Sequence, residues 1–199
     1  MSFSTYCEEK DEDKVCIIMR GTPGSGKSYT VAQTLKSHSI SDRMKHVFST
    51  DDFWTLNYAS DPADDDTADK AKRLAHYKSQ WNFAALGRAH KWNFERFKQA
   101  VDSGVTPIIV DNVNSTRKDM KEYAEYAFVY GYKIVVQEPT SPWWQEHAPF
   151  LRDKDNNKDK LAQFAKMLAG RNEHGVPEET IAKMLTRWAP DIKPEDLIS

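Results

Sequence analysis

The sequence predicts an α/β fold, an open parallel sheet of about four or five strands with helices on both faces. Three observations carry that expectation. Short apolar runs rich in β-branched residues recur along the chain, apolar at successive positions as in strands covered on both sides. Stretches of helical character separate them, and strands alternating with helices build βαβ units with right-handed crossovers. The first run also leads directly into a glycine-rich loop and then into a helical pattern, in the order strand, loop, helix.

Taken in order, residues 1–14 are polar and are expected to hang loose, leaving residues 15–199 as a single domain. Val15-Cys16-Ile17-Ile18-Met19 reads as the first strand, and similar runs at 46–48, 107–110 and 133–136 supply three more. Helices are expected over 27–37, across much of 69–103, over 117–130 with Gly131 as the stop, and over 178–188 behind Pro177. In the long middle segment Leu74, Trp81, Ala85 and Trp92 share one helical face, while Phe83, Phe94, Phe97 and Val101 share another. Trp81-Asn82-Phe83 recurs as Trp92-Asn93-Phe94, and a shift of eleven residues is ~3 helical turns, so counterparts meet on one face. These aromatics read first as core and second as a ligand-stacking surface.

Composition narrows the function. The 199 residues carry 28 basic against 30 acidic side chains, a net charge of -2, so no global field draws the chain to nucleic acid or anionic lipid. The longest strongly apolar run, Val15–Met19, is far short of the ~20 residues of a bilayer span, and no secretory signal pattern opens the chain. Cys7 and Cys16 lack metal or disulfide spacing, which favours a reducing home, cytoplasmic or nuclear.

The chemistry begins after the first strand. Gly21-Thr22-Pro23-Gly24-Ser25-Gly26-Lys27-Ser28 matches G-x-x-x-x-G-K-[ST] in full, which makes the expected fold one of the P-loop NTPase type. Glycines let backbone N–H groups turn inward around phosphate oxygens, Lys27 adds a point charge, and the Ser28 hydroxyl can ligate Mg²⁺. Asp51 and Asp52 follow the second strand, where ligands bind an open parallel sheet. Either could cap the next segment. Beside a phosphate loop, Asp51 reads instead as a base that takes a proton from an attacking hydroxyl. The third strand ends in Asp111-Asn112, the Walker B pattern, with Asp111 a candidate Mg²⁺ ligand and Asn112 and Asn114 at the crevice rim or serving the turn. Arg171, expected between two helices, is either a surface arginine or a cation that neutralises charge developing on a transferred phosphoryl group.

Other patterns fail. Asn157-Lys158-Asp159 ends in Lys160, not the aspartate of a guanine-reading N-K-x-D, and the run from Asp153 lacks the glycine and glutamate of a calcium loop. The acids of 61–66 read as a solvated face. From Lys70 to Lys98 eight cations face Glu95 alone, a local net charge of +7 interleaved with aromatics, suited to a single strand of nucleic acid or simply to a basic surface helix.

Six blocks in order resemble a known family: the P-loop; Ser49-Thr50-Asp51-Asp52-Phe53; Ala89-His90-Lys91-Trp92-Asn93; Pro107 to Asn114; Glu138-Pro139-Thr140-Ser141-Pro142-Trp143; and Arg171 to Pro177. Over roughly residues 15–188 the chain resembles the NEDD4-binding protein 2-like P-loop proteins. These are AAA-type kinases similar to the 5′-kinase domain of bacteriophage polynucleotide kinase and to the kinase-like half of the myelin cyclic nucleotide phosphodiesterase. The resemblance implies Lys27 and Ser28 as phosphate and Mg²⁺ residues, Asp51 as the base for a 5′-hydroxyl, and Arg171 as a lid arginine. The chain departs from the phage pattern at Trp54, where that kinase has an arginine, and beside His174, where a second lid arginine has no match. It also lacks the two H-x-[ST] motifs of the phosphodiesterase and the D-x-D-x-[TV] of a repair phosphatase.

The expected function is Mg-ATP-dependent transfer of a γ-phosphoryl group to a hydroxyl, foremost the 5′-end of a single-stranded nucleic acid. The catalytic candidates are Asp51, Arg171 and Lys27. ATP contacts are expected from Gly21, Pro23, Gly24, Ser25, Gly26, Lys27, Ser28 and Tyr29, and Mg²⁺ contacts from Ser28 and Asp111. Two alternatives stand beside it: a kinase for a small hydroxylated metabolite, and an ATP-gated binding protein whose surface is built from Trp54, Trp81, Trp92, Trp143, Trp144 and Trp188. A protein partner is open, with no P-P-x-Y docking motif in the chain.

Overall fold

Four strands form the sheet: β1 (Val15–Met19), β2 (Val47–Phe48), β3 (Ile108–Asp111) and β4 (Lys133–Gln137). Their order is β2-β3-β1-β4 and every pairing is parallel. The computed structural model describes residues 14–55 and 67–199. Residues 1–13 of the expected tail, Cys7 among them, and the acidic run of 61–66 lie outside the described residues; Lys14, expected in the tail, is instead tied to the sheet, its carbonyl accepting from the Lys133 amide at 2.8 Å.

Eight helices accompany the sheet among the described residues: α1 (Lys27–Ser37), α2 (Arg43–His46), α3 (Thr67–Gln80), α4 (Leu86–Asp102), α5 (Arg117–Val129), α6 (Pro142–His147), α7 (Lys158–Arg171) and α8 (Glu178–Thr186). The pleat explains why β1 is apolar at successive positions. Ile17 and Met19 pack with Ile109 and Val47 against Val31 of α1, while Cys16 and Ile18 face Phe97, Ala100 and Val101 of α4 and Met120 and Ala124 of α5. The two-sided α/β sheet expected from the sequence is the one observed.

A second apolar cluster joins α6, α7 and α8 through Trp144, Phe164, Leu168, Ile181, Leu185 and Trp188. Arg20, at the exit of β1, ties this cluster to the sheet. Its buried guanidinium donates to the carbonyls of Asn114 (3.3 Å), Ser115 (3.2 Å) and Ala189 (2.7 Å), lies 3.5 Å from Glu138, and stacks 4.1 Å over the Trp188 ring. Burial pulls its pKa down, opposed by Glu138.

The main departure from expectation is in the middle segment. A single helix across 69–103 would align Trp81 with Trp92, but the chain breaks after Gln80. Asn82 adopts an extended conformation, and its side chain accepts from the Ala84 amide at 2.8 Å, capping a 3₁₀ turn over Phe83–Ala85. Local side-chain bonding of this kind competes with helix propagation. The two Trp-Asn-Phe triplets are therefore not equivalent: Asn93 is fully buried, whereas Trp81 and Phe83 are 45% and 74% exposed. Smaller departures are that β2 has only two residues, with His46 closing α2, and that α8 ends at Thr186. Arg171 is the last residue of α7 and not part of a connecting loop.

Candidate nucleotide and phosphoryl-transfer site

The glycine loop wraps the end of β1 because two of its residues take left-handed conformations, Gly24 at φ 78° and Gly26 at φ 93°. A Cβ on Gly24 would collide with the Leu168 carbonyl oxygen, and one on Gly26 would come within 2.8 Å of the Ser141 side chain. Those contacts come from the second cluster, which braces the loop from outside. The Ser141 hydroxyl donates to the Ser25 carbonyl at 2.6 Å, and the Trp143 indole donates to the Gly24 carbonyl at 3.0 Å. Ser141 also caps α6, followed by Pro142 at the first helical position. Lys27 opens α1, and its ammonium donates to the Gly21 carbonyl at 2.9 Å. Ser28 and Tyr29 stand exposed on the first turn of α1, and Pro23 lines the same cleft.

Across the cleft lies the turn that follows β2. The Ser49 hydroxyl accepts from the Asp51 amide at 3.3 Å, and the Thr50 amide donates to Asn112 Oδ1 at 2.9 Å, so the exits of β2 and β3 are joined. The two neighbouring aspartates have opposite fates. Asp52 is buried and neutralised by Arg43 (3.0 Å) and Arg96 (3.4 Å). Asp51 is exposed to the cleft, and its Oδ1 accepts from the Tyr77 hydroxyl at 3.1 Å. Burial, then the Asp51 charge, push the Tyr77 pKa up, which keeps that hydroxyl a donor.

Asp111 ends β3 beside the β1 exit, in register with Met19. Burial raises its pKa, with Lys27 and Arg43 pulling the other way and Asp51 and Asp52 adding to the rise. Its Oδ1 is shielded from solvent and has no hydrogen-bond partner among the described residues, as is also true of Thr22 Oγ1 and Ser25 Oγ. Asn112 and Asn114 serve the turns: Asn114 is left-handed at φ 49° and donates to the Met19 carbonyl at 2.6 Å. Arg171 projects from the end of α7 and stacks 4.3 Å over Trp143, the same ring that braces Gly24. The segment after it is pinned by Asn172, whose side chain bonds Ala169 and both main-chain groups of Val176. It reaches α3, where the His174 ring lies 4.5 Å from that of Tyr77.

Apart from buried Gly21, the residues singled out from the sequence for chemistry thus border one cleft of about 2740 Å³, including Lys27, Asp51, Asp111 and Arg171. Sequence reading missed Tyr77, His174 and the braces Ser141 and Trp143. Ser141, Trp143 and His174 lie in blocks that carry the family resemblance, but their contacts with the glycine loop and with Tyr77 were not foreseen, and Tyr77 carried no signal. The tryptophan surface is not built: Trp54, Trp144 and Trp188 are buried.

The sequence profile of the AAA domain family matches residues 16–190. The chain belongs to that family. Human NEDD4-binding protein 2 is 32% identical over 174 residues, which is 87% of this chain and 8% of that protein. YLP motif-containing protein 1 is 24% identical over 184 residues in Rattus norvegicus and in Homo sapiens, covering 90% of this chain and 12% and 7% of those proteins. The chain thus spans a small part of the length of the curated relatives it matches. With the parallel sheet and glycine loop, these matches make it a NEDD4-binding protein 2-like P-loop protein, nucleotide-binding and kinase-like in type. In this AAA-family domain β1 pairs with β3 on one side and β4 on the other, which puts the loop at the reversal in strand order where open α/β sheets bind ligands.

Proposed function

We propose that this domain is an ATP-dependent kinase that transfers a γ-phosphoryl group to the 5′-hydroxyl of a nucleic acid. The observation that carries the proposal is the contrast between the two aspartates. One carboxylate, Asp51, is fixed and open across a single cleft from the glycine loop, while Asp52 is neutralised.

The residues fit the groups the reaction needs. Left-handed Gly24 and Gly26 give the loop the turn that points backbone N–H groups at phosphate, and the partnerless oxygens of Ser25 and Asp111 suit a polar ligand beside it. Gly21, Pro23, Gly24, Ser25, Gly26, Lys27, Ser28 and Tyr29 would hold ATP, and Ser28 and Asp111 would hold Mg²⁺. Mg²⁺, when bound, would offset negative charge on the β- and γ-phosphates. Asp51 takes the proton of the attacking hydroxyl on Oδ2, the oxygen that Tyr77 leaves open, and later returns it to water. Lys27 exchanges the Gly21 carbonyl for phosphate oxygen, and Arg171, held by Trp143, meets charge on the transferred group. Exposed Lys78 and Lys91 in the lining of the cleft suit a polyanionic acceptor, which favours a nucleic acid over a neutral metabolite.

The test is transfer of label from γ-labelled ATP to 5′-hydroxyl oligonucleotides, set against a panel of nucleosides and sugars. The expected result is label on the oligonucleotide, lost in Lys27→Ala together with the ATP-induced rise in melting temperature. Rising salt should weaken oligonucleotide affinity with a log-log slope of about 2–3. Transfer to a free nucleoside or sugar with equal efficiency would replace this reading with the metabolite one, and ATP binding without any transfer would leave the gated binding protein.

A further inference from the structure

We infer that Trp81 and Phe83 form a stacking platform for the bases next to the reacting end of a single-stranded nucleic acid. The inference rests on the kinase reading above for the direction of the strand, and adds the residues that hold it. Two large exposed aromatic rings at the junction of α3 and α4 call for explanation, because the neighbouring rings around Asp51 are packed away and the cleft's other strongly exposed ring, Tyr29, stands on α1 beside the glycine loop. Trp54, Tyr77 and Phe97 are each less than a tenth exposed, while Trp81 is 45% and Phe83 74% exposed, and both line the cleft that contains Asp51.

The rings are outward by construction. Asn82 between them breaks the helix and caps the next turn, so neither ring enters the core as a continuous helix would have required. Trp81 is also supported from behind, its ring centroid 6.4 Å from that of buried Trp54. The supports are the two elements that fix Asp51. Trp54 lies three residues after Asp51 in the same 3₁₀ turn, and Trp81 lies four residues after Tyr77, the donor to Asp51. Trp81 and the carboxylate are therefore tied to the same two elements, with Phe83 two residues further along the chain.

Charge selects the occupant. Within the basic segment Arg96 is spent on Asp52 and Lys98 on Glu95. Lys78 and Lys91, which line the same cleft as the rings, make no ion pair among the described residues and are exposed. Exposed aromatic faces flanked by bare cations are the combination that binds single strands through stacking and backbone charge. Such stacking tolerates any base, since every base has a π-face, so the platform predicts affinity for single strands with little sequence preference. A protein segment docked by its apolar side chains would use the rings but not depend on bases.

The experiment measures fluorescence anisotropy of a labelled 5′-hydroxyl oligonucleotide with the full chain. An oligonucleotide carrying abasic spacers at its first positions is run beside it. Trp81→Ala and Phe83→Ala should each weaken binding of the intact oligonucleotide about tenfold, and Trp81→Phe should restore most of the loss. The abasic oligonucleotide should bind wild type weakly and be indifferent to either substitution. Unchanged affinity in both alanine variants, or equal binding of abasic and intact ends, would overturn the platform. Running label transfer in parallel separates the two readings. Transfer that ignores both rings would sink the platform and leave the kinase, whereas ring-dependent binding without transfer would keep the platform and sink the kinase.

Discussion

Asp51 and Asp52 are chemically identical neighbours, and their environments assign them different work. Asp51→Asn should lower kcat by about 10²–10⁴ while ATP affinity, read as a nucleotide-induced melting shift, changes little. Asp52→Ala should act on stability instead, because it leaves Arg43 and Arg96 without their buried counter-charge. A loss of about 3 kcal/mol in chemical denaturation is expected. Asp111 is the reverse case. Burial raises its folded-state pKa above the ordinary value of 3.8, so in the absence of divalent ions the folded chain resists ionising it. Below the unfolded pKa both states are protonated and no penalty applies. As pH climbs from there toward the folded pKa the unfolded state ionises first, and stability falls. Asp111→Asn should therefore raise the melting temperature of the metal-free protein at pH 7, and the gain should vanish near pH 3. An absent gain at pH 7 would show that Lys27 and Arg43 already compensate the charge.

At the scale of elements, the glycine loop is held by the second apolar cluster as well as by its own backbone. Ser141 and Trp143 of the α6 start bond the Ser25 and Gly24 carbonyls, and the end of α7 closes over Gly24. Gly24→Ala would have to place a Cβ in a left-handed conformation and against the Leu168 carbonyl. The conformation alone costs about 1–2 kcal/mol. We expect a drop in melting temperature together with loss of the ATP-induced shift, whereas Gly87→Ala, in α4 with open space at its Cβ, should be neutral or stabilising. A Gly24→Ala protein with wild-type stability and ATP response would mean that α7 moves freely off the loop.

For the whole molecule, Arg20 is the joint. It collects carbonyls from the turn after β3 and from the chain after α8 and lies on Trp188, so one buried cation fastens the helical cluster to the sheet. Arg20→Ala should cost about 3–5 kcal/mol, since three acceptors and Glu138 lose their partner together. Hydrogen exchange should accelerate first in α7 and α8, because Arg20 fastens their cluster to the sheet while Ile18, Ile108 and Phe97 belong to a separate apolar cluster. Uniform acceleration across both halves would instead mark the chain as one cooperative unit in which Arg20 is no special joint.

What the sequence by itself determined is local. The strand, glycine loop and helix from Val15 to Ser37 are contiguous, and the constraints behind them act within a few residues: apolar succession in β1, φ freedom at Gly24 and Gly26, and a helix that starts at Lys27. The alternation of runs was enough for a two-sided parallel sheet, and the ends of β2 and β3 were enough to bring Asp51 and Asp111 to one edge. The tertiary structure alone decided which aspartate is open, because Arg43 and Arg96 reach Asp52 from other elements. It also decided that Arg171 meets the glycine loop, through a tryptophan 28 positions earlier in the chain, and that Tyr77 holds Asp51. Periodicity reports which face of an element is apolar, not what lies opposite. The middle segment shows the limit most plainly: a helical pattern from Leu74 to Val101 could not foretell that Asn82 would cap a new turn and leave Trp81 and Phe83 in the cleft, because that outcome weighs one local hydrogen bond against packing supplied by the rest of the fold.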